Sequence, residues 1–131
     1  MTFLKKILLV DDEPRVTAML RDALASSGRY VIKEERNSRQ AVTAARWFQP
    51  DLILFDVVTS HFGGTEVARE LQADAALRDT PLVFVSPDPS GRGAVVSGGM
   101  LSGYSFLAGP VPLAQISGYV SELLDPASDA A

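Results

Sequence analysis

Short apolar runs alternate along the chain with longer stretches of helical periodicity. Residues 7–10 form a continuous apolar and partly β-branched run, as expected of a strand buried on both faces. Four further strands are predicted at residues 30–32, 52–55, 82–85 and 104–108. This alternation of strands with helical segments is typical of an α/β fold with a parallel sheet.

Apolar residues at helical spacing predict the helices between these strands. Their apolar faces comprise Val16, Leu20, Ala23 and Leu24, then Ala41, Ala45 and Phe48, then Val67, Ala68 and Leu71, and finally Leu113, Ile116, Val120, Leu123 and Leu124. Asn37 and Ser38 are suited to cap the second helix, and Pro50 ends it. A fourth helix is expected between residues 87 and 103, but two prolines and five glycines there predict that it is short or irregular. The pattern therefore predicts five strands alternating with five helices.

Length and composition predict one soluble domain. The chain has 131 residues, of which 47% are hydrophobic. Residues 1–125 are expected to form the domain, and residues 126–131 a disordered tail. A net charge of −4 argues against binding to nucleic acid or to anionic membranes. The absence of cysteine excludes thiolate chemistry, and no stretch approaches transmembrane length, so a cytoplasmic protein is expected.

Candidate chemistry gathers where the predicted strands end. Asp11 and Asp12 follow the first strand, Asp56 the third, and Ser86 the fourth. Singly, each has a structural explanation in helix capping or turn formation. Together they converge at the carboxyl edge of the sheet, where three carboxylates need a cation, and Mg²⁺ is the natural candidate. Such a site allows a carboxylate to attack phosphorus and form an aspartyl-phosphate.

These segments resemble the bacterial response-regulator receiver domains of two-component signalling. The opening signature corresponds to residues 7–14, and the phosphorylation segment to residues 50–56, with Gly64 eight residues after Asp56. Residues 83–86 match the strand that ends in the family's Ser or Thr, and residues 106–110 match its aromatic and Lys-Pro stretch. The resemblance covers all of the chain but its last few residues.

The resemblance implies a flavodoxin-like doubly wound sheet of five parallel strands in the order 2-1-3-4-5. It implies that Asp56 is the phosphoacceptor and that Ser86 contacts the phosphoryl group. It also implies a Mg²⁺ site formed by Asp11, Asp12, Asp56 and the backbone carbonyl of Val58. Phe106 would be the aromatic residue whose rotamer changes on activation.

The chain departs from the family pattern at several positions. Gly109 stands where the family has a Lys that reaches the phosphoryl group, so this charge-assisted contact is lost. Arg92 is a weak candidate to replace it. His61, in the altered loop after Asp56, is interpreted as a solvated residue. The glycine-rich fourth-helix region suggests a changed output surface, or one that orders when a partner binds.

Two functions of different classes remain open. The leading hypothesis is a switch that receives a phosphoryl group on Asp56 from a histidine kinase or phosphotransfer protein, and is not a metabolic enzyme. The alternative is a degenerate receiver that acts as a phosphorylation-independent interaction module, which Gly109 favours. A haloacid-dehalogenase-type phosphatase is disfavoured because Val58 stands where its second Asp is needed. The sequence specifies neither the output protein nor whether the chain forms a homodimer.

Overall fold

The computed structural model describes residues 4–11, 14–26, 28–56, 64–87, 94–101, 104–112 and 115–124. Within these residues the chain forms six strands: β1 (Lys5–Val10), β2 (Tyr30–Glu35), β3 (Leu52–Asp56), β4 (Leu82–Pro87), β5 (Ala94–Leu101) and β6 (Tyr104–Pro112). The described α-helices are α1 (Pro14–Ala25), α2 (Ala41–Phe48), α3 (Gly64–Ala73) and α4 (Ile116–Leu124). A single 3-10 turn, Ser38–Gln40, precedes α2.

The six strands form one sheet in the order β2-β1-β3-β4-β5-β6. The first four strands in this order are parallel, and their order matches the 2-1-3-4 arrangement expected from the resemblance. All five residues of β3 are buried, because helices cover both faces of the sheet there. The predicted α/β class is therefore confirmed.

The predicted fourth helix is wrong for residues 94–101, which form strand β5 instead. This strand pairs antiparallel with β4 on one side and with β6 on the other. Gly98 and Gly99 oppose a helix here, whereas the β-branched Val95 and Val96 favour extended backbone. Only two residues connect β5 to β6, and a connection this short joins antiparallel strands, since a parallel crossover needs a dozen residues or more.

The strand predicted at residues 104–108 is found as β6, which extends to Pro112. Because β5 is antiparallel to both of its neighbours, β6 runs in the same direction as β4. It lies one strand position further out than a five-stranded parallel sheet would place it. The sheet is therefore mixed, with six strands in the described residues rather than five parallel ones.

Two hydrophobic layers enclose the sheet. One contains residues of α2 and α3 packed on alternate positions of the central strands, with Phe55 among its largest buried side chains. The other contains residues of α1 and α4 packed on the remaining positions, including Leu54 of β3. Consecutive residues of a strand point to opposite faces, and for this reason a continuous apolar run supplies both layers.

The local signals around α2 act as predicted. The Asn37 side chain caps the 3-10 turn by accepting a hydrogen bond from the backbone N–H of Arg39 at 3.0 Å. At the other end, Gln49 adopts a left-handed conformation with φ of 51°, and its N–H donates to the carbonyl of Ala45. Pro50 follows and prevents the helix from continuing. None of the helices in the described residues is long and apolar enough to cross a membrane.

Candidate functional site

Two aspartates lie side by side at the carboxyl edge of the sheet. Asp56 is the last residue of β3, and Asp11 directly follows β1. Val10 pairs with Phe55 in parallel register, so the next pair along the two strands is Asp11 and Asp56. Neighbouring strands are about 4.8 Å apart, which places the two carboxylates close together.

The backbone hydrogen bonding between β1 and β2 continues one residue beyond β1 and keeps Asp11 in the direction of the strand. The N–H of Asp11 donates to the carbonyl of Glu35 at 3.1 Å, which extends the β1–β2 ladder by one residue. The alternation of side chains assigns Asp56 to the face of Leu54, and by the same rule Asp11 to the face of Leu9. Both carboxylates therefore belong to the α1 and α4 side of the sheet.

Both aspartates are almost completely buried. Asp11 and Asp56 are each 1% exposed. The Oδ2 atoms of the two side chains accept no hydrogen bond from the described residues, although both residues make other interactions. Two carboxylates buried this close repel each other, because the low dielectric of the interior strengthens the repulsion. A cation between them would offset this cost.

The donor set of this pair suits a hard divalent cation. Carboxylate oxygens are the ligands that Mg²⁺ prefers, and it commonly binds through one or two of them together with water and phosphate oxygens. Within the described residues, no group of three or more His, Cys, Asp or Glu side chains is placed so that it could hold a metal ion. The other two predicted ligands, Asp12 and the carbonyl of Val58, lie outside the described residues.

Ser86 lies at the same edge of the sheet on the adjacent strand. Val85 pairs with Asp56, so Ser86 is one residue further along β4. Its side chain is partly exposed. Strand alternation places it on the opposite face from Val85, and therefore also from Asp56, which pairs with Val85. The structure thus brings Ser86 to the edge where Asp11 and Asp56 end.

The positions of Gly109 and Phe106 differ from the expected arrangement. Both belong to β6, which is separated from β4 by β5. Three strand spacings separate β6 from β3, or about 14 Å, instead of the roughly 10 Å of a five-stranded sheet. A Lys at position 109 would therefore start too far from Asp56 for its flexible four-carbon stem, which spans roughly 6 Å, to reach.

The loop residue His61 and the candidate substitute Arg92 lie outside the described residues. Phe106 is part of β6, and its side chain lies outside the described part of the structure.

The sequence interpretation passed over one buried polar residue, Thr17 of α1. Thr17 is completely buried, in contrast to most threonines. A signal was present, because Thr17 precedes Leu20 by three residues and Leu24 by seven, the spacing of one helical face. The buried face of this helix was predicted from its aliphatic residues alone, and Thr17 was therefore left out.

The fold and the aspartate pair define a receiver, and comparison with known proteins agrees. The family model for the response regulator receiver domain matches residues 7–118. The chain therefore belongs to the response-regulator receiver family, which confirms the resemblance noted from the sequence.

Individual relatives are consistent with this assignment. The chain is 34% identical over 82 residues to the polar-differentiation response regulator DivK of Brucella anthropi, a match covering 63% of this chain and 66% of DivK. It is 35% identical over 81 residues to the protein PilH of Pseudomonas aeruginosa, covering 62% of this chain and 66% of PilH. The chain thus spans slightly less than two thirds of these relatives.

A solved structure extends the likeness over nearly the whole chain. The signal receiver domain of a signal transduction histidine kinase from Syntrophus aciditrophicus has a TM-score of 0.70 with this structure and is 26% identical in sequence. The match covers 94% of this chain and 92% of that one.

Proposed function

We propose that this receiver accepts a phosphoryl group on Asp56 from a histidine kinase or phosphotransfer protein, in a reaction that requires Mg²⁺. The observation that carries the proposal is the buried pair Asp11 and Asp56, set side by side on neighbouring strands at the carboxyl edge of the sheet. In doubly wound sheets ligands bind at the carboxyl ends of the strands, so a phosphoryl donor would approach Asp56 from this edge.

In the proposed reaction, an Asp56 carboxylate oxygen attacks phosphorus and forms a new O–P bond. The P–N bond to the donor's histidine breaks, and the imidazole leaves with the electron pair and takes up a proton. The metal, when bound, neutralises charge on the phosphoryl oxygens and on the aspartates. The residues that would hold this metal are Asp11, Asp12, Asp56 and the backbone carbonyl of Val58. The Ser86 hydroxyl would donate a hydrogen bond to a phosphoryl oxygen.

The proposed domain is a cytoplasmic signalling switch rather than a metabolic enzyme. Its output passes to a protein that the chain does not identify, and Phe106 is the proposed switch residue. The alternative is a phosphorylation-independent interaction module, and it rests on the position of Gly109. Strand β5 lies between Gly109 and the aspartate pair, so the link by which the family couples phosphorylation to its output surface is altered.

Phosphorylation with a small-molecule donor tests the proposal. The protein is incubated with Mg²⁺ and acetyl phosphate, and its intact mass is measured beside Asp56→Asn and Asp22→Asn. Asp22 is an exposed residue of α1, so its substitution makes the same chemical change away from the site. We expect the wild type and Asp22→Asn to gain one phosphoryl group, and Asp56→Asn to gain none. If the wild type gains no phosphoryl group and does not bind Mg²⁺, the interaction module is the better account.

A further inference from the structure

The outer edge of β2 presents unpaired backbone groups. Among the described strands, β2 pairs only with β1 and ends the sheet. The carbonyls of Arg29 and Glu35 accept hydrogen bonds from the β1 side, each at 3.1 Å. The odd-numbered residues of this strand therefore direct their N–H and C=O groups toward β1. The alternate residues direct theirs outward, and these are Tyr30, Ile32 and Glu34.

This edge lacks the proline protection found at the opposite edge of the sheet. Strand β6 carries Pro110 and Pro112, and proline is a common means of preventing strand addition. Strand β2 contains no proline, so each of its outward backbone N–H groups can donate a hydrogen bond to another strand. Charges at Lys33, Glu34 and Glu35 oppose self-pairing only in registers that bring like charges together.

A groove beside the strand exposes apolar surface. Between β2 and α2 it is lined by Lys33, Glu35, Gln40, Thr43, Ala44 and Trp47. Trp47 is 86% exposed, and Val31 on the same side of the sheet is 42% exposed. An exposed tryptophan leaves a large apolar ring in water, and covering that ring with a partner is favourable. An exposed tryptophan next to an open strand edge is therefore typical of a contact surface.

We propose that this edge is a homodimer interface, in which β2 pairs antiparallel with β2 of a second copy about a two-fold axis at Ile32. In this register Ile32 faces Ile32, Tyr30 faces Glu34, and Val31 faces Lys33 of the second copy. The outward groups of Tyr30, Ile32 and Glu34 then form the hydrogen-bonded pairs, as an antiparallel ladder requires. No like charges face each other in the paired strands.

Charge excludes the competing register. Only one other antiparallel register uses the outward residues and overlaps five residues of each strand, and it is centred on Lys33. It sets Lys33 directly against Lys33 of the second copy, where like charges are destabilising. The register centred on Ile32 is therefore the self-complementary one, and self-complementarity is the condition for a two-fold interface.

The geometry also explains the exposed tryptophan. Because the two sheets would join edge to edge, the two-fold axis is perpendicular to the sheet, and α2 of both copies lies on the same face. The groove of each copy then opens onto the other copy, and Trp47 is partly removed from water on both sides. This inference does not depend on phosphorylation of the domain.

A matched pair of substitutions at Val31 tests the register. Sedimentation equilibrium is measured for the wild type, Val31→Glu and Val31→Lys from micromolar to millimolar concentration. In the proposed register position 31 faces Lys33, so Glu forms two new ion pairs and Lys forms two like-charge contacts. We expect about a tenfold higher association constant for Val31→Glu than for Val31→Lys, which corresponds to about 1.4 kcal/mol. The register centred on Lys33 predicts the opposite order, because position 31 would then face Glu35.

A second variant and a spectroscopic signal complete the test. Ile32→Pro removes one outward N–H and no hydrogen bond to β1, so it should abolish association. Because Ile32 also packs against the apolar layer on the α1 and α4 side, the variant should melt below the wild type, and its association is measured at a temperature where the dilute protein is folded. Trp47 is the single tryptophan of the chain, and its emission should shift to shorter wavelength as wild-type concentration rises. The proposal is overturned if the wild type stays monomeric at millimolar concentration, or if Val31→Lys associates as strongly as Val31→Glu. The Val31 pair decides between these outcomes even if Ile32→Pro fails to fold.

Discussion

Replacing Asp56 with Asn should stabilise the metal-free protein, although the residue is buried. Asp11 and Asp56 are each 1% exposed and lie on adjacent strands, about 5 Å apart. At that separation two unit charges repel by about 3 kcal/mol for an effective dielectric constant of about 20. The Asn side chain has nearly the same volume, so it removes the charge without leaving a cavity. Part of the gain is offset where the amide replaces an acceptor oxygen, and we expect a net increase of about 1–3 kcal/mol in the free energy of unfolding.

Thermal unfolding in a chelator, and again with added Mg²⁺, measures this effect. The Asp56→Asn variant should melt several degrees above the wild type in chelator. Added Mg²⁺ should raise the melting temperature of the wild type and have little effect on the variant, because a ligand stabilises only the protein that binds it. The exposed Asp22→Asn control should follow the wild type in both conditions. If Asp56→Asn melts at or below Asp22→Asn in chelator, the two carboxylates do not repel as reasoned.

Two further predictions concern β6 and the surface ion pair of α2. Gly109→Lys should leave the rates of aspartyl-phosphate formation and decay unchanged, because β5 separates position 109 from Asp56. Both rates are measured in a phosphoprotein lifetime assay, and a clear change in either one would contradict this reasoning. The Arg46 Nε atom donates to Asp74 at 2.8 Å, and this hydrogen bond, with one from the N–H of Ala76, lowers the pKa of Asp74. The interaction between Arg46 and Asp74 therefore stabilises the folded protein fully above the ordinary Asp pKa, and this stabilisation is lost as the pH falls through the lower pKa of Asp74 in the folded state. The melting temperatures of the wild type and of Arg46→Gln should for this reason differ near neutral pH and converge in acid.

The central strands and the aspartate pair could be predicted from the sequence because their signals are local. The continuous apolar runs of β1 and β3 require burial on both faces, and this places them at the centre of a parallel sheet. Once they are neighbours, the residues that follow the runs, Asp11 and Asp56, must meet at one edge. The cap at Asn37 and the stop at Pro50 are likewise fixed by short-range backbone geometry.

The structure of the segment between β4 and β6 depends on strand pairing in the folded protein. The glycines of residues 87–103 indicated only that a helix there would be weak, and the two β-branched residues Val95 and Val96 are too short a run to identify a strand. Residues 94–101 become extended because β4 and β6 both supply backbone partners for them, and hydrogen bonding in a sheet depends on neighbours distant in sequence. The position of Gly109 relative to Asp56 depends on that pairing, so the sequence could identify the missing lysine but not the added distance. The strand order implied by the resemblance already placed β2 at the edge of the sheet, and the structure confirms it. The exposure of Trp47 beside that edge depends on how α2 packs against the sheet, and only the tertiary structure shows it.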